Sequence, residues 1–479
     1  SSSVKPMKSE SKRSGLSLFF IFVFLFFAAA VSVRAADDDV DRYVRAQLAE
    51  RHIPGAAIAV IKNGRVVKAE GYGLASVEFN VPATKETVFE IGSVSKQITA
   101  AAVMLLVEEG KINPDEKISK YLPATPEAWK NVSVRNLLTH TSGIKSYTGL
   151  SGFELTKRLT RDDFIKALAA HPLEFETGAR YQYSNSGYNL LGFIIETVSG
   201  KSYWDFIRAR IFKPLGMNKT ADRDPKYIIA NRATGYEWEN GSLAGRDYDL
   251  TDVFSAGAIV STVEDLAKWD AALRGDAFLK KESKAQMWTP VTLNDGKPYP
   301  YGFGFRISEI RGHKIIGHSG QTAGFGANIS RYVDDDLTVI ALTNLGEIGM
   351  GTALANGIAK IYIPSISLKA LKAQPEPDAK ISQMISNALR ERLENKLNPD
   401  YLTAELIKSL STERAKLSNR RIASYGAIKN PVFVGSESSG ANGAKIYRYK
   451  AETPRRIFLW RLTVNNEGKI SEMTLEEEE

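Results

Sequence analysis

The chain of 479 residues has no cysteine, and this absence excludes several kinds of chemistry. Without cysteine there is no disulfide, no lipoprotein anchor through a cysteine, no thiol nucleophile and no cysteine-bound metal. Histidine is scarce too: the five histidines show neither the H-x-x-x-H nor the H-E-x-x-H spacing of a zinc site. The sequence therefore predicts no metal site.

Long basic tracts are also missing, although the formal net charge is +8. Residues 1–35 carry five basic side chains and one acidic side chain, so half of the excess charge belongs to that segment. The remaining charges of both signs are mixed along the chain, which is typical of a solvated surface and not of a nucleic-acid-binding arm. We expect no nucleic-acid partner.

One long apolar run is present at residues 16–33, and three basic residues precede it: Lys8, Lys12 and Arg13. Ala35 follows, in a position that a signal peptidase reads. The pattern predicts a signal peptide with upstream residues over 1–35, and hence a secreted or periplasmic protein. An uncleaved membrane anchor stays open, because about 18 apolar residues can just span a bilayer.

The order of the remaining patterns predicts the fold class. A helix over 37–52 precedes a hairpin, whose strands at 56–61 and 66–72 flank an Asn-Gly turn. Helical patterns dominate about 155–275. Strand patterns then follow at 301–307, 314–317, 327–333 and 337–343. A last helix is predicted at 349–362. Since both ends must share one sheet, we expect an α+β sandwich: an antiparallel sheet flanked by helices, plus a helical subdomain, with the active cleft between them.

A segment rich in proline and acidic residues, within 369–380, is predicted to be a linker. The hydrolase-like part would then cover 36–368. The patterns in residues 381–479 predict a small α+β accessory domain, with helices at 378–396 and 402–417. The sequence does not indicate the partner of this domain. Its clearest strand is 456–464, in which four apolar residues alternate with other side chains: Phe458, Trp460, Leu462 and Val464.

Ser93 and Lys96 lie one helical turn apart, at the start of an apolar run that ends at Gly110. Ser93 would therefore lie at the N-terminus of a buried helix, where free N–H groups favour negative charge. Burial would lower the pKa of Lys96, so that the amine could take the proton of the serine. An S-x-x-K sequence also occurs by chance, so the motif alone leaves a helix start without chemistry open.

Two further motifs carry candidate site residues. Tyr183 and Asn185 precede an apolar helical pattern, and a nearby cationic lysine would lower the pKa of the tyrosine so that it could act as a base. Asn185 would contact a substrate amide or hold the lysine. His318, at the end of a strand, would donate a hydrogen bond or titrate near neutral pH. A cap-rich loop and a structural histidine are the plainer interpretations.

In this order, the motifs resemble those of the serine β-lactamase and penicillin-binding protein superfamily, in its class C β-lactamase-like branch. The matching stretches are Ser93-Val94-Ser95-Lys96, Tyr183-Ser184-Asn185 and His318-Ser319-Gly320, supported by 137–143 and 255–269. The resemblance covers about 38–365 and implies a β-lactamase-like sandwich. It also implies an acyl-serine mechanism without any cofactor.

The resemblance assigns a role to each motif residue. Ser93 would be the nucleophile, and Lys96 and Tyr183 would handle the proton. The backbone N–H groups of Ser93 and Gln321 would form the oxyanion hole. Asn185 would contact the acyl amide of the substrate. Ser319 and His318 would line the leaving-group side, and Gly320 would let a substrate lie against the strand edge.

His318 stands where many β-lactamases have lysine, so a permanent positive charge is replaced by a neutral group at pH 7. Family members with histidine there include D,D-peptidases, D-amino-acid peptidases, esterases and β-lactam hydrolases. We therefore expect a β-lactamase or peptidase acting on cell-wall-like D-amino-acid amides. An esterase for small acyl esters is the alternative, and a non-catalytic binding protein is the third hypothesis.

Overall fold

The computed structural model describes residues 38–150, 159–246, 248–376, 378–439 and 443–478, so the predicted signal peptide lies outside the described residues. The α-helices in these ranges are α1 (Asp39–Glu50), α2 (Ser95–Glu108), α3 (Val134–Leu138), α4 (Arg161–Ala169), α5 (Asn185–Ser199), α6 (Tyr203–Ile207), α7 (Phe254–Gly257), α8 (Val263–Arg274), α9 (Lys281–Met287), α10 (Met350–Tyr362), α11 (Ala379–Leu393), α12 (Ala404–Leu410) and α13 (Glu413–Ser424).

Seven antiparallel strands form the main sheet: β1 (Gly55–Lys62), β2 (Arg65–Ser76), β3 (Val81–Pro82), β4 (Arg306–Ile310), β5 (His313–Thr322), β6 (Phe325–Tyr332) and β7 (Leu337–Thr343). Their order across the sheet is β4-β5-β6-β7-β1-β2-β3. The predicted hairpin is confirmed, because Asn63 and Gly64 adopt φ values of +51° and +71° between β1 and β2.

The strand predicted at 301–307 is wrong in its first half, since β4 begins only at Arg306. The chain bends before it at Gly304, whose φ is +76°. A Cβ at Gly304 would lie 2.6 Å from the carbonyl oxygen of Lys96, so this segment crosses α2 too closely for a regular strand with side chains.

The central strand β1 is buried on both faces, which explains its uninterrupted apolar sequence. Side chains on one face pack against α1 and α10: Ala56, Ile58 and Val60. Those on the other face pack into the core that contains α2 and α8: Ala57, Ala59 and Ile61. This arrangement of helices on both sides of the sheet confirms the predicted sandwich.

Helices α2 to α9 form the helical part beside the sheet, as expected. Short strands that the sequence did not predict interrupt or border it: Phe89–Glu90, Ala221–Asp222, Tyr236–Glu239, Ser242–Gly245, Ile259–Ser261, Val291–Thr292 and Pro298–Tyr299. α2 is buried from Ser95 to Leu106, around its whole circumference. A helix in this position holds its first turn rigidly, and that turn carries Lys96.

The C-terminal region has its own core and a four-stranded meander, β8 (Val432–Ser438), β9 (Lys445–Glu452), β10 (Ile457–Val464) and β11 (Ile470–Glu478). The predicted inward residues of β10 are buried. The single helix predicted at 402–417 is wrong: Thr412 accepts a hydrogen bond from the backbone of Ala415 and starts α13 separately from α12. The linker at 369–380 stays a prediction.

The end of β11 lies against the part of the chain that carries the main sheet. Glu476 pairs with Arg311 at 2.8 Å, and Glu478 pairs with Lys360 of α10 at 3.0 Å. The Glu478 carboxylate also accepts a hydrogen bond from the backbone N–H of Leu368 at 2.6 Å. These contacts fix the final strand beside β4 and α10.

Candidate active site

Ser93 lies in a single 3₁₀ turn, Gly92–Val94, which leads directly into α2. Gly92 has a φ of +49°, and a Cβ on it would lie 2.6 Å from the backbone nitrogen of Gln321, so the turn requires glycine. Ser93 is half-buried, whereas its immediate neighbours are buried. The serine therefore stands at the start of the buried helix, as predicted.

Lys96 is fully buried and directs its amine at Ser93. Nζ lies 3.1 Å from Ser93 Oγ, 2.8 Å from Asn185 Oδ1 and 2.7 Å from the carbonyl oxygen of Ala256. Burial lowers the pKa of Lys96 well below its usual value of 10.5. The two shorter contacts go to carbonyl oxygens, which can only accept hydrogen bonds. The Ser93 hydroxyl is the partner that can donate, so a neutral Lys96 offers its lone pair to that hydroxyl.

Tyr183 lies on the loop before α5, with Lys96 Nζ 4.8 Å from the centre of its ring. Its hydroxyl is buried and meets hydrogen-bond geometry with no described residue. Burial raises the pKa of Tyr183 above its usual value of 10, and the nearby Ser93 hydroxyl offsets this only in part. The prediction that Tyr183 has a lowered pKa is therefore wrong, because burial is the dominant cause and raises it.

Asn185 is the first residue of α5 and not a loop residue. Its Oδ1 accepts a hydrogen bond from Lys96 at 2.8 Å, and its Nδ2 donates to Thr148 Oγ1 at 3.3 Å. Of the two roles that the sequence allowed, the structure shows the one in which the amide holds the lysine. The contact with a substrate amide stays a prediction.

The third motif lies on β5, where the strand becomes the edge of the sheet. Pairing with β4 stops at Gly317, and Thr322 closes the two-residue turn to β6. Backbone hydrogen bonds alternate along an antiparallel pair, so those of Thr322 face β6 and those of Ser319 and Gln321 face the other way. The backbone groups of Ser319 and Gln321 therefore face the open edge.

Gly320 brings this edge against the serine turn. A Cβ on Gly320 would lie 1.9 Å from the carbonyl oxygen of Ile91 and 3.1 Å from the backbone nitrogen of Ser93. Glycine is required because the two backbones touch. The structure thus places the N–H groups of Ser93 and Gln321 on adjacent segments, as an oxyanion hole requires. That both point at one oxyanion position stays a prediction.

His318 is buried, with 3% of its surface exposed, and both of its ring nitrogens have partners. Nε2 lies 2.9 Å from the Tyr301 hydroxyl, and Nδ1 lies 2.6 Å from the carbonyl oxygen of Ser319. Burial is the main cause that lowers the pKa of His318 to about 3. The expectation that His318 titrates near neutral pH is therefore wrong, and its predicted contact with a substrate stays a prediction.

The sequence analysis missed Arg306, which lies opposite Gly317 in the register of β4 and β5. Arg306 is exposed and forms no ion pair with a described residue. Its positive charge partly offsets the rise in the pKa of Tyr183 and adds to the lowering of the pKa of His318. Arg306 therefore acts on the electrostatics of the site. The signal that could have found it is the Arg311-Gly312 turn, because a two-residue hairpin sets the register.

Arg306 and Ser319 line a groove of about 440 Å³ between the edge of the sheet, α10 and the end of β11. The wall of the groove includes both apolar and polar side chains, the polar ones among them Asn328, Asn356, Glu476 and Glu477. Within the described ranges, no three His, Asp or Glu side chains are grouped to hold a metal ion. None of the described helices is long and apolar enough to cross a membrane.

The sandwich, with a buried lysine against a serine and a glycine-lined strand edge beside them, defines a class of serine hydrolases. The model of the beta-lactamase family matches residues 40–360, a range that contains every motif residue described above. The chain belongs to the beta-lactamase family, as the resemblance of its motifs predicted.

Penicillin-binding protein 4* of Bacillus subtilis (strain 168) is 33% identical to the chain over 319 residues, which are 63% of this chain and 70% of that protein. Protein flp of Staphylococcus aureus (strain MW2) is 29% identical over 318 residues, 65% of this chain and 63% of that protein. The chain thus spans less than two thirds of the length of protein flp.

Two solved structures extend the comparison. The octameric penicillin-binding protein homologue from Pyrococcus abyssi has a TM-score of 0.61 at 25% identity and covers 89% of this chain and 90% of its own. The D-amino acid amidase from Ochrobactrum anthropi SV3 has a TM-score of 0.60 at 26% identity, with 69% of this chain and 99% of its own covered. The first likeness therefore extends into the C-terminal region.

Proposed function

We propose that the chain hydrolyses amide bonds of β-lactams or of D-amino-acid peptides, such as those of cell walls, through an acyl-Ser93 intermediate. One observation carries this proposal: the buried amine of Lys96 lies 3.1 Å from Ser93 Oγ and has only acceptors as its other partners. A neutral amine in that place is a base for the serine.

In the proposed reaction, Ser93 Oγ gives its proton to Lys96 Nζ and bonds to the substrate carbonyl carbon. The Lys96 ammonium then donates to three oxygens, those of Ser93, Asn185 and Ala256. The N–H groups of Ser93 and Gln321 would stabilise the oxyanion. The Tyr183 hydroxyl stays protonated because burial raises its pKa. It would protonate the leaving nitrogen as the C–N bond breaks, and the Lys96 ammonium would return that proton to it.

The groove beside the strand edge supports a substrate with a carboxylate on its leaving group. His318 supplies no charge there, since burial holds its pKa at about 3. Arg306 is exposed, lines the groove with Ser319, and has no ion pair within the described residues. A guanidinium binds a carboxylate through two parallel hydrogen bonds, so Arg306 would take the place of the missing lysine.

The comparisons support this substrate class without fixing it. One relative is a penicillin-binding protein, and one structural neighbour is a D-amino acid amidase. The first name refers to the binding of penicillin, and the second refers to the amide of a D-amino acid.

An esterase is the second candidate, and the neutral His318 favours it. Ester leaving groups are good without a cation beside them, and the same Ser93 and Lys96 would perform the acyl transfer.

Acylation by a labelled penicillin, followed by intact mass over time, tests the proposal, with Ser93→Ala as the control. An adduct on Ser93 that persists indicates a penicillin-binding protein, and an adduct that forms and clears indicates a β-lactamase. Hydrolysis of a short nitrophenyl ester without any adduct would move the function to an esterase. If neither an adduct nor turnover is observed, the hypothesis of a non-catalytic binding protein would be the one supported.

Arg306→Gln tests the proposed carboxylate contact. We expect the preference for a D-alanyl-D-alanine peptide over its C-terminal amide to fall about tenfold or more, as one charge-assisted contact is lost. Lys314→Gln is the matched control, because Lys314 is an exposed cation of the same hairpin that does not line the groove. An unchanged preference in Arg306→Gln would contradict the assignment.

We further propose that the mature chain works outside the cytoplasm, on the evidence of the basic and apolar segments before Ala35. Peptide mapping of the exported protein should then find a new N-terminus near Ala36. An intact N-terminus in the membrane fraction would instead support the uncleaved anchor.

A further inference from the structure

A continuous row of hydrogen bonds joins the second motif to the third through two residues outside both. The backbone N–H of Ser184 lies 3.1 Å from His140 Nδ1, and His140 Nε2 lies 3.1 Å from the Tyr301 hydroxyl. The same hydroxyl lies 2.9 Å from His318 Nε2, and His318 Nδ1 lies 2.6 Å from the carbonyl oxygen of Ser319.

The two ends of this row determine every proton in it. The Ser184 N–H can only donate, so His140 Nδ1 accepts and the proton of His140 is on Nε2. The Ser319 carbonyl can only accept, so the proton of His318 is on Nδ1. Tyr301 therefore accepts from His140 and donates to His318. Each ring holds one proton, and the two histidines have opposite tautomers.

A charged ring would break the row. A second proton on His318 would point at Tyr301, and the hydroxyl would then have to donate to a His140 nitrogen that already carries a proton. Burial prevents this: 1% of the surface of His140, none of that of Tyr301 and 3% of that of His318 is exposed. Burial is the main cause that lowers the pKa of both histidines, and the positive charge of Arg306 lowers them further.

The groups packed around the row are otherwise uncharged. The rings of three tyrosines contact His140 at centroid distances of 4.3 to 5.8 Å: Tyr181, Tyr183 and Tyr188. The pKa values of all three are raised by burial, so their hydroxyls stay protonated. Nothing in this shell supplies a negative charge that would hold a histidinium.

We propose that His140 and Tyr301 are positioning residues, which join the Tyr183 loop to His318 and thereby hold the edge of β5 at a set distance from that loop. This inference rests on the proposed function. Ser184 adjoins Tyr183, the proposed proton donor, and Ser319 adjoins the glycine that carries the edge towards Ser93. The row therefore ties the donor of the leaving-group proton to the strand that would hold the substrate.

Tyr301→Phe removes one hydroxyl and keeps the ring, so it cuts the two middle hydrogen bonds while preserving the packing. Tyr299→Phe is the matched control, because Tyr299 lies two residues away, stacks on Tyr181 at 3.9 Å, and its hydroxyl bonds to no described residue. Two measurements are compared: the tautomers of the histidines by ¹⁵N spectroscopy of ¹⁵N-histidine-labelled protein, and the rate of Ser93 acylation.

In wild-type protein we expect two neutral rings with opposite tautomers, assigned to His140 and His318 through their loss in His140→Gln and His318→Gln. With only five histidines in the chain, the signals can be separated. In Tyr301→Phe, we expect the proton of His318 to stay on Nδ1, where the Ser319 carbonyl holds it, while the ¹⁵N signal of Nε2 shifts because its hydrogen-bond donor is lost. The acylation rate should fall about tenfold or more, since small displacements of reacting groups are costly. Tyr299→Phe should change neither.

An unchanged Nε2 signal of His318 in Tyr301→Phe would overturn the proposal, and so would an unchanged acylation rate. If Tyr301→Phe does not fold, His140→Gln takes its place: its amide can accept from Ser184 and donate to Tyr301, so it should retain more activity than His140→Leu. Equal rates in these two variants would overturn the proposal. The ¹⁵N signals are read without substrate. The expected ¹⁵N pattern in a protein that no substrate acylates would therefore count against the proposed function and not against the row of hydrogen bonds.

Discussion

Replacing Lys96 with methionine tests whether the buried amine is neutral, and it does so without any substrate. Burial keeps the pKa of Lys96 well below its usual value of 10.5. When the chain unfolds, the lysine reaches water and takes up a proton at any pH below about 10.4. Between the folded and unfolded pKa values, the folded protein therefore binds one proton fewer than the unfolded protein.

This difference has a defined sign and size. The unfolded state holds the extra proton, so raising the pH removes an advantage of that state and increases stability. One proton corresponds to about 1.4 kcal/mol in the free energy of unfolding for each pH unit. Lys96→Met has no such proton. The free energy of unfolding of wild type minus that of the variant should therefore rise by ~2 kcal/mol from about pH 8 to about pH 9.5.

Urea unfolding followed by tryptophan fluorescence measures this difference at a series of pH values. Lys284→Met is the matched control, because Lys284 is also buried, with 4% of its surface exposed, but is paired with Asp276 at 2.6 Å. We expect no comparable slope there, since the carboxylate holds the ammonium in the folded state. A flat difference for Lys96→Met would mean that folded Lys96 is charged, and the assignment of Lys96 as the base would fail.

Three further outcomes are expected. Tyr183→Phe should lower turnover by about 10²-fold, as for loss of an acid–base group; a near-wild-type rate would leave Lys96 as the only group that handles the proton. Gly320→Ala should abolish acylation by penicillin while circular dichroism shows a folded chain, because the new Cβ would lie 1.9 Å from the Ile91 carbonyl oxygen; retained labelling would contradict the close contact. His318 has a folded pKa of about 3 against about 6.5 when unfolded, so stability should fall as the pH drops through that interval. His318→Gln should weaken this dependence, and identical acid profiles would refute the buried neutral ring.

Local patterns were sufficient for the nucleophile and its base. Ser93 and Lys96 belong to one turn at the start of one apolar helix, so their proximity follows from helical spacing alone. The hairpin of β1 and β2 was predictable for the same reason, because an Asn-Gly turn specifies it locally.

The properties that were missed depend on distant parts of the chain. The pKa of Tyr183 is set by burial, and burial is produced by residues far away in the sequence. Arg306 faces the site only through the register of a neighbouring strand, and Tyr301 only because the chain bends at Gly304. The Arg311-Gly312 turn could have given the register of Arg306, but a sequence pattern does not give the depth of a side chain or the bend that places Tyr301.

The central position of β1 has a consequence for the chain during its synthesis. β1 pairs with β2, which follows it directly, but also with β7, which is made only after all the helices of the subdomain. Until β7 arrives, β1 has an unpaired apolar edge, and no strand joins β5 and β6 to β1. A nascent or truncated chain that ends before Leu337 therefore exposes an apolar strand edge, which favours aggregation.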